Sequence, residues 1–101
     1  TQYVVDEMID FDEVIGEVLD FAAKDKNTLV IITADHETGG MTLNGGDMKT
    51  GRVDAKFTTT HHTGVMIPVF AFGPGSEKFS GIYENTAIFT KMLEALKLSV
   101  K

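Results

Sequence analysis

The chain has 101 residues, of which 43% are hydrophobic and 24% charged, a composition ordinary for a globular protein. Its net charge is −6 and its nine basic residues are scattered singly, which argues against nucleic acid as a partner. No apolar stretch is long enough to cross a bilayer, so no membrane partner is expected. Because there is no cysteine, disulfides and thiolate metal sites are excluded, and any metal would need His, Asp or Glu ligands.

The N-terminal part carries a helical pattern. Apolar residues recur at steps of three and four between residues 11 and 24, which predicts an amphipathic helix. Asp10 and Glu13 have the spacing of a capping box and place its start near Asp10, and Lys24 and Lys26 suit its C-terminal end. Residues 3–9 either extend this helix or form a separate turn.

Two apolar runs predict buried strands. Residues 28–33 are mostly β-branched, and residues 65–72 form a second run that contains Pro68. Residues 39–52 are glycine-rich and predict a loop or hairpin, with short strands at 41–43 and 57–60, and residues 85–98 predict a second amphipathic helix. This order predicts an α/β fold with a parallel sheet.

Such a chain is expected to be incomplete as a stand-alone domain. Two strands alone leave unpaired sheet edges, so the sheet must be completed by oligomerisation or by a larger doubly wound domain. The residues 1–6 resemble no signal peptide and include no initiator Met, so we expect the chain to begin within a longer protein or after processing.

The candidate chemistry lies where the predicted strands meet their loops. Asp35 and His36 follow the first strand, and His61 and His62 precede the second. Ligands of open α/β sheets collect at such strand ends, and carboxylate oxygen and imidazole nitrogen both bind zinc. The residues alone also fit a strand-ending Asp, a His held by backbone hydrogen bonds and a solvated His pair. Glu37 fits a further ligand, a supporting partner or a solvated loop residue.

Other catalytic patterns are absent from the sequence. There is no Gly-x-Ser-x-Gly motif and no Gly-Lys-Ser/Thr after the glycine-rich segment, which excludes a nucleophile elbow and a P-loop. The threonines at 58–60 beside His61 are a weak candidate for a hydroxyl nucleophile.

Longer segments resemble one family. Residues 28–40 read TLVIITADHETGG and resemble the segment of bacterial alkaline phosphatases that carries an Asp-His pair of zinc ligands. His62-Thr63-Gly64, followed by a strand and FGPG at 72–75, is similar to the later His-Thr-Gly motif of that family. Residues 10–13 with the following helix, and residues 79–86, also resemble it, so the likeness covers nearly the whole of residues 1–101.

The resemblance implies a phosphomonoester hydrolase that works through a covalent phosphoenzyme, two Zn²⁺ ions and Mg²⁺. Asp35 and His36 would bind the zinc that activates the nucleophile, and His62 the zinc that activates water; a register slip of one would give this role to His61. The nucleophile, the phosphate-binding arginine, the magnesium carboxylates and the remaining zinc ligands match nothing in residues 1–101, and Arg52 fits no family motif. The 101-residue chain itself is therefore expected to be inactive.

The resemblance also implies a periplasmic or secreted parent, a phosphate monoester substrate and a possible homodimer. One alternative is a related hydrolase of the same superfamily, such as a phosphodiesterase, a sulfatase or a phosphomutase-like enzyme. The other is a non-catalytic binding or interaction module.

Overall fold

The computed structural model describes residues 1–99, which form two helices, six short strands and one 3₁₀ turn. These residues divide into two compact units. The first unit contains Thr1–Gly16 and His36–Ile67, and the second contains residues 17–35 and 68–99.

Helix α1 runs from Gln2 to Asp25. Of the two alternatives for residues 3–9, extension of the helix is confirmed, and the first helical hydrogen bond joins Val5 N–H to the Thr1 carbonyl at 3.1 Å. The start near Asp10 that the capping-box spacing predicted is therefore wrong. The apolar spacing extends upstream through Val5 and Met8, so the capping-box pattern at Asp10 falls inside a longer helical face.

The C-terminus of α1 is capped by a lysine in the left-handed conformation. Lys26 has φ 62° and donates its N–H to the Ala22 carbonyl at 2.9 Å. The Asp25 carboxylate then accepts hydrogen bonds from Asn27 N–H at 3.1 Å and from the Thr28 hydroxyl at 2.7 Å. The chain therefore turns sharply out of the helix toward the first strand.

The second unit contains a two-stranded sheet. Strand β1 (Val30–Ile32) pairs with β6 (Phe70–Phe72), and Val30 lies opposite Phe72. A 3₁₀ turn at Ser76–Phe79 and helix α2 at Ala87–Ala95 follow β6. Among residues 1–99, the buried apolar side chains are Ala22, Val30 and Phe79, all of them in this unit.

The predicted parallel arrangement of the two apolar runs is wrong, because β1 and β6 are antiparallel. A parallel pair needs a crossover, usually a helix, and residues 33–69, all described by the structure, contain none. The second run also forms a ladder only over its last three residues; upstream, the Pro68 carbonyl accepts a hydrogen bond from the Thr33 hydroxyl at 3.2 Å.

The first unit contains two further antiparallel pairs. Strand β2 (Glu37–Thr38) pairs with β5 (His62–Thr63), and β3 (Thr42–Asp47) pairs with β4 (Arg52–Lys56). The predicted hairpin is confirmed, but a strand at 57–60 is wrong, because Thr58 and Thr59 donate their N–H groups to the Gly39 carbonyl at 2.9 and 3.2 Å. In sequence order the three pairs are nested: β1 with β6, β2 with β5, and β3 with β4.

Helix α2 is shorter than the predicted 85–98 because a left-handed residue ends it. Lys97 has φ 56° and donates to the Glu94 carbonyl at 3.1 Å, while Leu98 N–H reaches the Leu93 carbonyl at 2.9 Å. These two bonds form a Schellman motif, which closes the helix.

Many large apolar side chains are exposed. On α1, Tyr3 is 76% and Phe21 61% exposed, and on β6, Phe70 is 61% exposed. Neither helix within residues 1–99 has the length and apolar character needed to cross a membrane.

Replacing Lys26 by glycine tests the left-handed cap. We expect Lys26→Gly to raise the free energy of unfolding by about 0.5–1 kcal/mol, because glycine adopts a positive φ without the Cβ clash. Lys24→Gly, inside α1, is the control and should lower it by about 1 kcal/mol. Urea unfolding of the intact protein that carries this segment measures both, and a loss of stability in Lys26→Gly contradicts the assignment.

A second substitution tests the turn after β2. Gly39 has φ +81°, and a Cβ there would lie 2.7 Å from Cδ1 of Phe57. At Gly51 φ is +69° and a Cβ would meet nothing within 4 Å. Gly39→Ala should therefore destabilise by about 1–3 kcal/mol more than Gly51→Ala, since it adds a clash to the same backbone strain. Equal losses in thermal unfolding would show that the Phe57 ring does not restrict this turn.

Candidate metal site

Two histidines meet across the short β2–β5 pair of the first unit. His36 directly precedes β2 and His62 begins β5, and their ring centroids lie 3.6 Å apart with planes inclined by 33°. In the ladder Thr38 lies opposite His62 and Glu37 lies opposite Thr63. Continuing this register by one residue places His36 opposite Gly64. His36 and His62 are thus diagonal neighbours on one face of the pair.

The His36 ring is oriented by the backbone. Its Nδ1 lies 3.0 Å from the Glu37 carbonyl oxygen and 3.4 Å from the Thr38 hydroxyl. Because a carbonyl oxygen only accepts, the contact requires a proton on Nδ1, and the neutral tautomer then carries its lone pair on Nε2. Metal-binding histidines commonly have this arrangement, with one ring nitrogen donating to a carbonyl.

His61 lies differently from His62. His61 directly precedes β5, whereas His62 begins that strand and is the one whose ring contacts His36. The His61 backbone is used locally: its N–H donates to the Thr59 hydroxyl at 3.1 Å, and its carbonyl accepts from Gly39 N–H at 2.8 Å. Both histidines are exposed, so the ring contact with His36 is what separates His62 from His61.

The third predicted ligand, Asp35, belongs to the second unit and is exposed. Within residues 1–99 the structure assembles no group of three or more His, Asp, Glu or Cys side chains that could hold a metal ion. A zinc site needs three or four protein ligands, so these residues fit part of a metal centre and do not form a complete one.

Glu37 adjoins His36, and the sequence pattern did not specify its role. Its carboxylate accepts from Gly40 N–H at 2.7 Å and Met41 N–H at 3.3 Å, and the Thr63 hydroxyl donates to its other oxygen. The Thr63 hydrogen bond, together with the two backbone donors, holds the pKa of the Glu37 carboxyl below its ordinary value, against the opposing effect of desolvation. The sequence signal for these contacts is a carboxylate two residues before a Gly-Gly pair, because the backbone N–H groups of such a turn need an acceptor.

The single arginine does not take part in this cluster. Arg52 lies in the exposed strand β4, where its guanidinium pairs with the Asp54 carboxylate at 3.1 Å.

The chain matches the family model described as "Alkaline phosphatase" in two stretches, residues 1–56 and 47–98. The two stretches overlap at hairpin β3–β4. The alignment with alkaline phosphatase 3 of Bacillus subtilis extends over 165 residues, so that relative carries residues that this chain lacks.

Characterised relatives are phosphatases of greater length. The chain is 31% identical to an alkaline phosphatase of Escherichia fergusonii over 93% of its own length and 23% of the relative. It is 34% identical to the streptomycin-6-phosphate phosphatase of Streptomyces griseus, over 91% of the chain and 24% of the relative. The chain thus spans about a quarter of these two relatives.

Solved structures agree with this assignment. A variant of the TAB5 alkaline phosphatase with Mg bound in its M3 site superposes on 98% of the chain at a TM-score of 0.87 and 47% identity, using 31% of its own length. The alkaline phosphatase of the Antarctic bacterium TAB5 itself gives a TM-score of 0.81 and 50% identity over 90% of the chain and 28% of its own length. The α/β architecture is therefore part of a larger domain, and the chain belongs to the alkaline phosphatase family.

Proposed function

We propose that this chain supplies zinc ligands to a phosphomonoester hydrolase, with Asp35 and His36 on one ion and His62 on the other. The observation that carries the proposal is the His36–His62 ring contact at 3.6 Å, because it places imidazoles from two loops at one point. The Nδ1 contact of His36 with the Glu37 carbonyl supports it, since it selects the tautomer that binds metal through Nε2. Asp35 is included in the proposal because it is the residue next to His36 in the chain.

When bound, the two zinc ions would stabilise charge on the attacking and leaving oxygens of phosphoryl transfer. The contribution of this chain is to hold ligand side chains: a carboxylate and two imidazoles, one of them oriented by a backbone carbonyl. The hydroxyl nucleophile, the phosphate-binding arginine and the magnesium carboxylates belong, in this proposal, to other parts of the parent protein. The covalent phosphoenzyme is likewise proposed from the resemblance to alkaline phosphatases.

Phosphate monoesters are the proposed substrates. The named relatives include alkaline phosphatases and a streptomycin-6-phosphate phosphatase. A panel of phosphate monoesters, phosphate diesters and sulfate esters separates this proposal from the phosphodiesterase and sulfatase alternatives, and we expect the monoesters to be hydrolysed fastest. Export of the parent and its homodimerisation stay predictions from the family resemblance.

The two adjacent histidines provide a matched test of the ligand assignment. In the intact protein, we expect His62→Ala and His36→Ala each to lower kcat/KM for a phosphate monoester on the order of 100-fold or more, with loss of bound zinc. His61→Ala is the control, since the ring contact with His36 is made by His62. Metal content is measured by mass spectrometry beside the kinetics. Normal turnover of His62→Ala without added zinc, or loss of zinc in His61→Ala alone, would reject the assignment.

The isolated chain provides a second test. Because residues 1–99 assemble no three-ligand group, we expect the 101-residue chain to bind zinc weakly and to hydrolyse no phosphate monoester. Zinc titration by calorimetry measures this. Sub-micromolar affinity that Asp35→Ala abolishes would favour the independent binding module instead.

A further inference from the structure

We propose that Glu37 is a positioning residue of the metal site: its carboxylate ties Thr63 to the Gly40–Met41 turn and so keeps His36 beside His62. This inference rests on the proposed function, because it concerns residues that act through the two histidines. It assigns a role to a carboxylate that adjoins the ligands without being one.

The register of β2 and β5 places the tie and the histidines on opposite faces. Glu37 lies directly opposite Thr63, and their side chains are hydrogen bonded. His36 and His62 occupy the alternate positions, so their rings contact each other on the other face. A change in the Glu37–Thr63 spacing therefore changes the spacing of the two rings through the backbone that they share.

The strand pair is too short to hold this spacing by its own ladder. It consists of two residue pairs, and the backbone bonds next to it all involve Gly39: its N–H donates to the His61 carbonyl at 2.8 Å, and its carbonyl accepts from Thr58 N–H at 2.9 Å and Thr59 N–H at 3.2 Å. The Glu37 carboxylate adds three charge-assisted hydrogen bonds, to Gly40 N–H, Met41 N–H and the Thr63 hydroxyl. The bonds to Gly40 and Met41 fix the carboxylate within its own turn, and the Thr63 bond joins the two loops. Bonds to an ionised acceptor are stronger than neutral ones, so this bond adds a charge-assisted link to the backbone bonds.

The same contacts argue against Glu37 as a direct ligand. One carboxylate oxygen accepts from two backbone donors and the other from a hydroxyl. Moving the carboxylate onto a metal beside the histidines would leave the Gly40 donor and the Thr63 hydroxyl without this acceptor, and would require the side chain to change faces. A role in holding the strands together, in contrast, needs no movement of the carboxylate from its observed position.

Two substitutions at Thr63 separate positioning from simple stability. Thr63→Val keeps the side-chain volume and removes the hydroxyl, whereas Thr63→Ser keeps the hydroxyl. In the intact protein we expect Thr63→Val to weaken Zn²⁺ affinity, measured by chelator competition, about 10- to 100-fold, the range typical of residues that support metal ligands. Thr63→Ser should stay within about threefold of the parent, since the hydrogen bond to Glu37 survives.

Cobalt substitution supplies a readout that stability alone does not change. The visible spectrum of bound Co²⁺ depends on ligand geometry, so Thr63→Val should shift its bands while Thr63→Ser should not. If Thr63→Val unfolds more easily but binds Zn²⁺ and Co²⁺ as Thr63→Ser does, Glu37 is only structural and the proposal is overturned.

A second pair of variants keeps the test decisive if Thr63→Val does not fold. Glu37→Gln can still accept from Gly40 N–H and can donate its amide to Thr63, so it should retain most of the metal affinity that Glu37→Ala loses. Equal affinity of Glu37→Ala and the parent overturns the positioning role. If His36→Ala and His62→Ala also bind metal normally, the proposed function itself fails; if they lose metal while Glu37→Ala does not, only the positioning role fails.

Discussion

One carboxylate connects two distant segments of the first unit. The Glu37 carboxylate accepts hydrogen bonds from two backbone N–H groups of the turn that follows it and from the hydroxyl of Thr63, 26 residues along the chain. These donors hold the carboxyl in its ionised form, and the ionised form in turn strengthens the bonds. The turn itself is packed closely, since Gly39 is buried against the Phe57 ring.

The nested antiparallel pairing explains how distant residues meet. The chain leaves β1, reverses once at the hairpin β3–β4 and pairs with itself on the return through β5 and β6. Because of this reversal, the segment that contains β2 runs alongside the segment that contains β5. The segments that carry His36 and His62 are therefore paired through β2 and β5.

The apolar surface shows how strongly these residues depend on more protein. Within residues 1–99, Ala22, Val30 and Phe79 are the buried apolar side chains, while large residues such as Tyr3, Phe21 and Phe70 are more than half exposed. Exposed apolar patches of this kind mark surfaces that pack against further polypeptide. The match to 31% of a TAB5 alkaline phosphatase chain agrees with a segment of a larger domain.

Local pattern determined the elements of the chain and the chemical types at its site. The apolar spacing of α1 and α2, the β-branched run of β1 and the glycine-rich hairpin are properties of neighbouring residues, which periodicity and turn preferences report directly. The Asp35-His36 and His62-Thr63-Gly64 segments were recognisable for the same reason. Element boundaries were less certain, since left-handed Lys26 and Lys97, which end the helices, are not signalled by glycine.

Tertiary structure decided what depends on residues far apart in the chain. Strand direction followed from the absence of a helix in residues 33–69, which turned a predicted parallel pair into an antiparallel one. The contact of His62 with His36, and the hydrogen bond between Glu37 and Thr63, arise only when β2 and β5 pair in one register. Sequence therefore determined which donors and candidate ligands the chain possesses. The strand register decided which of them meet, because register is set by long-range pairing that no local pattern records.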